Sequence, residues 1–119
     1  MALVFVYGSL KRGCRHHRQI AGGRYLGERS TGTGYRLVKF DGYPVLVRGD
    51  GVVTGELYEV GAELLARLDR FEDCPELYQR DSLTLADGTR AHAYVMSEDA
   101  VEGLPEVPGG TWREDGDRG

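Results

Sequence analysis

A convincing helical period occurs once in this sequence of 119 residues. Gly61-Ala62-Glu63 leads into Leu64, Leu65, Leu68 and Phe71, an i, i+1, i+4, i+7 apolar stripe, and Pro75 places a stop close behind it. Elsewhere the apolar residues come in short β-branched and aromatic runs interrupted by glycine, of which there are 18. Such a chain has too few helical segments for a bundle and must lay the single helix's apolar stripe on a sheet. The predicted class is α+β: a small mixed or antiparallel β-barrel, or a curled sheet, with one principal helix and short flanking helices.

Ala2-Leu3-Val4-Phe5-Val6-Tyr7 is a continuous apolar run that predicts a buried strand, ended by Gly8-Ser9. Cys14 to Ala21 predicts a short helix before Gly22-Gly23. Tyr35 to Phe40 predicts a strand, with Asp41-Gly42 as a turn. Val45-Leu46-Val47 and Val52 to Val60, joined through Gly49-Asp50-Gly51, predict one hairpin; Ser82 to Leu85 and Arg90 to Met96 predict a second about Asp87-Gly88. Beyond Ser97 the composition turns to Glu, Asp, Gly and Pro. The expected organisation is one domain over residues 1–97 and an acidic, flexible tail over 98–119.

Composition narrows the function classes. Apolar residues make up 40% of the chain, which suits a soluble globular protein, and no apolar run approaches the ~20 residues a membrane helix needs. The expectation is a cytoplasmic protein without a membrane partner, and a monomer. Two cysteines, Cys14 and Cys74, without a CxxC pair argue against a disulfide scaffold and a structural zinc site. The net charge of −4 argues against a general nucleic-acid binder. That charge is uneven. Residues 1–27 carry five Lys/Arg and no acid, whereas residues 98–119 carry seven Asp/Glu against Arg113 and Arg118. The basic third suits a small anion, and docking of the acidic segment upon it stays open.

Two features carry candidate chemistry. On a helix turning ~100° per residue, Glu72 falls about 20° from Leu65 and about 40° from Leu68, so it points with the apolar stripe. Arg67, Arg70 and Glu63 point elsewhere. A carboxylate aimed at an apolar face must be paired, hydrogen-bonded or functional, unless the helix end frays and leaves it in solvent. The second feature is Tyr7-Gly8-Ser9-Leu10. Gly8 permits a sharp turn, and backbone N–H groups freed at the end of a buried strand can form an anion-binding concavity, with Lys11 and Arg12 next to it. The bland alternative is a strand that ends in a Gly-Ser turn. Three rival constellations are weaker. Cys14 near His16 and His17 lacks an acid to orient a histidine. His16, His17 and His92 lack metal-ligand spacing. Thr31-Gly32-Thr33-Gly34 lacks the Lys-Ser/Thr and the helix of a phosphate loop and is taken as a turn leading into a strand.

These residues also carry a resemblance. Val4 to Gly13, VFVYGSLKRG, and Leu68 to Arg80, LDRFEDCPELYQR, resemble the two signatures of the γ-glutamylcyclotransferase-like (AIG2-like) superfamily. Tyr43-Pro44 and Gly55 to Val60 match its pattern between them. The opening and the FEDCPELYQR run are most similar to the γ-glutamylamine-cleaving branch, and the likeness spans roughly Met1 to Met96. The resemblance implies a small barrel with flanking helices and no metal or organic cofactor. It implies an intramolecular aminolysis in which a γ-glutamyl amide, such as γ-glutamyl-ε-lysine, becomes 5-oxoproline and a free amine. Carried over by position, Glu72 is the catalytic acid/base and Tyr7, Gly8, Ser9 and Leu10 form the substrate cradle; Tyr78 and Arg80 follow the helix, where they either orient the base or lead into the next strand. Ser9 stands where the branch often has Thr, and His16 stands where Asn is expected. A glutamyl-removing tailoring enzyme and a non-catalytic module that binds a small carboxylate are the alternatives on the same fold.

Overall fold

The computed structural model describes residues 1–74 and 76–114. Seven strands form one mixed sheet: β1 (Ala2–Val6), β2 (Arg24–Ser30), β3 (Tyr35–Phe40), β4 (Tyr43–Arg48), β5 (Thr54–Val60), β6 (Gln79–Thr84) and β7 (Arg90–Val95). The one α-helix among the described residues, α1 (Ala62–Phe71), is accompanied by 3₁₀ turns at His17–Gln19, Glu98–Val101 and Pro108–Gly110. The α+β class read from the sequence therefore holds. The short helix expected over Cys14 to Ala21 is reduced to the first of these turns.

Neighbouring strands run β2-β5-β1-β7-β4-β3, with β6 on β7. The apolar opening run becomes the inner strand β1, antiparallel to β5 and parallel to β7. Its alternate residues serve two cores. Val4 and Val6 pack with Tyr58, Val60, Leu64 and Leu68 beneath α1. Phe5 and Tyr7 pack on the other side with Leu37, Leu46, Leu57 and Trp112. Burial on both faces explains why β1 reads as unbroken apolar sequence rather than as alternation.

The sheet differs from the expectation in two respects. Its path is open, ending at β2 and β3, so it is not the closed barrel anticipated. The reason lies in β7. β6 covers one edge of that strand from Thr84–Arg90 to Gln79–Val95, and β1 and β4 share the other edge, bridging at His92 and Val95 respectively. The sheet branches there instead of closing. Second, β4 and β5 do not form the hairpin predicted about Gly49-Asp50-Gly51. β4 pairs with β3 across Asp41-Gly42, while β5 runs between β1 and β2. Gly51 instead exchanges backbone bonds with Tyr35, at 2.9 and 3.0 Å, as the chain crosses over. β1 needs an antiparallel neighbour on its free edge, and β5 supplies it. The hairpin about Asp87-Gly88 forms as expected. β2 had no strand signal, because RYLGERS is polar and its pairing with β5 is broken by a register shift between Tyr25 and Gly27.

Residues 98–114, set apart in the sequence as an acidic tail, pack onto the domain through the apolar side chains they contain. Val101 and Trp112 are buried. Lys11 Nζ donates to the Trp112 carbonyl at 2.7 Å, and the Arg15 backbone N–H donates to Glu114 Oε1 at 2.7 Å. The acidic segment thus docks on the basic N-terminal third as far as Glu114; residues 115–119 lie outside the described residues. No helix among the described residues is long and apolar enough to cross a membrane.

Candidate active site

The site is built where β1 and β4 part on the shared edge of β7. Beyond Val6 the chain turns sharply, with Lys11 N–H donating to the Gly8 carbonyl and His16 N–H to that of Ser9, both at 3.0 Å. Gly8 is required here by close approach rather than by dihedral angle. A Cβ on it would stand 2.5 Å from Pro44 Cγ, on the strand facing it. The Tyr43-Pro44 pair and the Gly8-Ser9 turn are therefore two halves of one joint. Within that turn, no backbone carbonyl among the described residues accepts from the N–H groups of Ser9 or Leu10.

Between these elements lies a cavity of about 370 Å³. Its floor is buried and formed by Val6, Tyr7, Gly8, Leu10, Tyr94 and Met96. Tyr7 Oη donates to the Tyr94 carbonyl, which locks the end of β1 to β7. Glu72, Tyr78, Tyr43 and Pro44 line its sides. Asp41, Phe71 and Leu77 are exposed and mark the mouth.

The end of α1 fixes Glu72. The helix stops through a Schellman arrangement: Asp73 adopts a left-handed conformation (φ 56°), its N–H bonds the Arg70 carbonyl at 3.1 Å, and the Cys74 N–H bonds that of Asp69 at 2.9 Å. Glu72 is the C-cap residue, so it is held in the last turn and does not fray. Its carboxylate has no ion pair and no side-chain hydrogen bond among the described residues. Burial pushes its pKa up to about 7, since little solvent remains to stabilise the charged form. The partial negative charge at the helix C-terminus acts in the same direction. Burial also raises the Tyr7 phenol, helped by Tyr78 and Glu72, and burial raises Tyr78 and Tyr94, with Glu72 contributing to both. These phenols stay protonated next to the carboxylate.

Tyr7, Gly8, Ser9, Leu10, Glu72 and Tyr78 come together from two separate stretches of sequence, and all of them line the cavity. Arg80 does not. Its Nε donates to Asp69 Oδ1 at 2.9 Å, and Tyr94 Oη donates to the same oxygen at 2.7 Å. Arg80 and Asp69 thus brace the wall from behind. Sequence reasoning did not assign Tyr94, Asp41 or His16 to this cavity. Tyr94 sits in a strand that looked purely structural. Asp41 looked like turn chemistry alone. His16 was weighed with Cys14, but Cys14 is not among the lining residues, and His16 Nδ1 instead lies 3.1 Å from Ser9 Oγ. Its ring stacks on Tyr43 (centroids 6.1 Å apart) and meets the edge of Phe71 at 5.2 Å. Seven residues separate His16 from Ser9, too irregular a loop for a periodicity argument to reveal the contact.

Residues 4–114 match the family described as Gamma-glutamyl cyclotransferase, AIG2-like. The chain belongs to that family. It is an enzyme of the γ-glutamyl cyclotransferase type. It is 35% identical over 124 aligned positions to the human protein named gamma-glutamylaminecyclotransferase, across 93% of this chain and 73% of that one. Among solved structures, an AIG2-like protein from Mus musculus superposes with a TM-score of 0.80 at 30% identity, covering 96% of this chain and 95% of that one. An uncharacterized protein from Pyrococcus horikoshii gives a TM-score of 0.77 at 26% identity, covering 93% and 89%.

Proposed function

We propose that the chain is a γ-glutamylamine cyclotransferase in which Glu72 is the proton carrier. The observation that carries this reading is a partly buried carboxylate, unpaired among the described residues, on the wall of a cavity large enough for a small molecule, with its pKa near 7. A general base works best when its pKa lies close to the operating pH, because it then accepts and returns a proton with little cost either way.

The steps follow from that placement. The substrate's α-amino group arrives as an ammonium and cannot attack. Ionised Glu72 takes one proton, and the freed nitrogen lone pair attacks the γ-carbonyl carbon of the same molecule, closing a five-membered ring. The carbonyl π electrons move onto oxygen. As they return, the bond to the departing nitrogen breaks and Glu72 delivers its proton to that nitrogen. The ring nitrogen, still carrying one proton too many, passes it through Glu72 to the released amine, which leaves as an ammonium. The products are 5-oxoproline and a free amine, and Glu72 is ionised again. Because the attack is intramolecular, the protein's main task is to hold the glutamyl chain folded, where effective molarity is high. The unengaged N–H groups of Ser9 and Leu10 are suited to the substrate carboxylate or to the developing oxyanion. The Ser9 hydroxyl, fixed by His16, adds a donor beside them. The neutral phenol of Tyr78 can donate to Glu72 without supplying a positive charge that would lower its pKa, while the Tyr7 proton stays committed to the Tyr94 carbonyl.

Charge favours an amine over an α-amino acid as leaving group. Among the described residues two carboxylates, Asp41 and Glu72, line the cavity, and no Lys or Arg does. The α-carboxylate of a departing amino acid would sit one carbon from the scissile nitrogen, close to Glu72, without a cation to meet it. The likeness to relatives named for γ-glutamyl amines supports the same choice. The test is 5-oxoproline release from γ-glutamyl-ε-lysine and from γ-glutamylalanine. Faster release from the lysine amide is expected; equal or faster release from γ-glutamylalanine would overturn the amine assignment. No release from either, with heat stabilisation by 5-oxoproline, would favour the binding module.

A further inference from the structure

We propose that Asp41 is a specificity-determining residue that reads the departing amine, selecting alkyl leaving groups that carry a positive charge at their far end. This rests on the cyclotransferase reading and adds the chemistry of the leaving side to it.

The cavity has a direction. Its buried floor holds the turn at Gly8 to Leu10 and the phenol of Tyr7, the groups suited to the polar glutamyl head. With the head on the floor, the departing nitrogen and whatever it carries extend toward the mouth. The mouth offers three exposed side chains: Phe71 at 36% exposure, Leu77 at 47%, and Asp41. Exposed large apolar side chains are uncommon in this molecule, and two of them at one cavity rim provide a surface for methylene groups. Asp41 supplies the charge next to that surface.

Asp41 is held in place. It is the first residue of the two-residue turn between Phe40 and Tyr43, with φ 50°, followed by Gly42 with φ 81°. It has no ion pair or hydrogen bond among the described residues. Arg15, which reaches the same turn, is already engaged. Arg15 lies over the Tyr43 ring at 4.7 Å, donates to the Gly42 carbonyl at 3.3 Å, and pairs through Nε with Glu114 Oε2 at 3.1 Å. Glu114 therefore matches the Arg15 charge, and the negative charge of Asp41 remains for a ligand. An alkyl chain laid along Phe71 and Leu77 with an ammonium at its far end satisfies both features. A carboxylate there would meet Asp41 and be repelled.

The experiment compares 5-oxoproline release from three γ-glutamyl amides of equal length: those of 1,4-diaminobutane (cationic), n-butylamine (neutral) and 4-aminobutanoate (anionic). Wild type and Asp41→Asn are measured side by side; Asn tolerates the same left-handed turn, so the hairpin is kept. In wild type the expected order of kcat/KM is cationic, neutral, anionic, with cationic over neutral about two- to fivefold, the range of an exposed ion pair. The ratio is expected to shrink at high salt and to fall toward one in Asp41→Asn, where the anionic amide gains. A wild-type ratio of one or less, or the same ratio in the variant, would overturn the inference while leaving the cyclotransferase reading intact. No release from any of the three would remove both.

Discussion

Asp69 and Glu72 sit three residues apart in the last turn of one helix, and the fold treats them in opposite ways. Asp69 accepts from Arg80 and from Tyr94, so its charge is matched and its oxygen is tied to two neighbouring strands. Glu72 is partly buried and has no partner among the described residues, and its pKa moves up to about 7. The difference shows how one helix end serves as both brace and reagent. A paired carboxylate holds its partners and has no reason to move a proton, whereas an unpaired buried one holds its charge only reluctantly and exchanges protons near neutral pH.

Substitution separates the two. The largest effect is on turnover. Glu72→Gln removes the proton carrier and is expected to lower kcat by about 10² to 10⁴, whereas Asp69→Asn, which keeps an accepting oxygen, is expected to lose less than about tenfold. Comparable losses from both, read by 5-oxoproline release, would erase the distinction. The next effect is on stability and has opposite signs for the two residues. Above pH ~4.5 the unfolded chain ionises Glu72 freely while the native state resists, so the native state is penalised increasingly up to pH 7 and constantly beyond it. Glu72→Gln should therefore raise stability on the order of 2 kcal/mol at pH 8 and change it little at pH 5, measured by denaturant unfolding. Asp69→Ala strands the Tyr94 hydroxyl and should cost about 1–2 kcal/mol. Arg80→Ala breaks a partly exposed pair and should cost least, about 0.2–1 kcal/mol. A loss of stability at pH 8 in Glu72→Gln would mean that the carboxylate has a partner after all.

The sequence revealed this contrast in part. The apolar stripe of α1 directs Glu72 inward, and the unbroken run of β1 makes a strand buried on both faces, because both signals depend on local periodicity. The cradle and Glu72 emerged as candidates from two distant stretches, joined by the family resemblance. What stayed hidden depends on contacts between elements. Asp73 ends the helix in the left-handed region, one residue past Glu72 and before the expected stop at Pro75, and so holds Glu72 in the last turn. Arg80 looked equally suited to the site and to a supporting role, and only its bond to Asp69 places it behind the wall. β2 and the crossover before β5 escaped notice because a polar edge strand and a glycine-rich loop carry little periodic signal.

The most direct measurement is the pH dependence of kcat/KM for 5-oxoproline release from a γ-glutamyl amide by the wild-type enzyme. Activity requires ionised Glu72 and the substrate ammonium together, so the profile should rise with an inflection near pH 7 and fall where the α-ammonium deprotonates. A rate already at its plateau at pH 5, the behaviour of an ordinary carboxylate or of no carboxylate at all, would contradict the account.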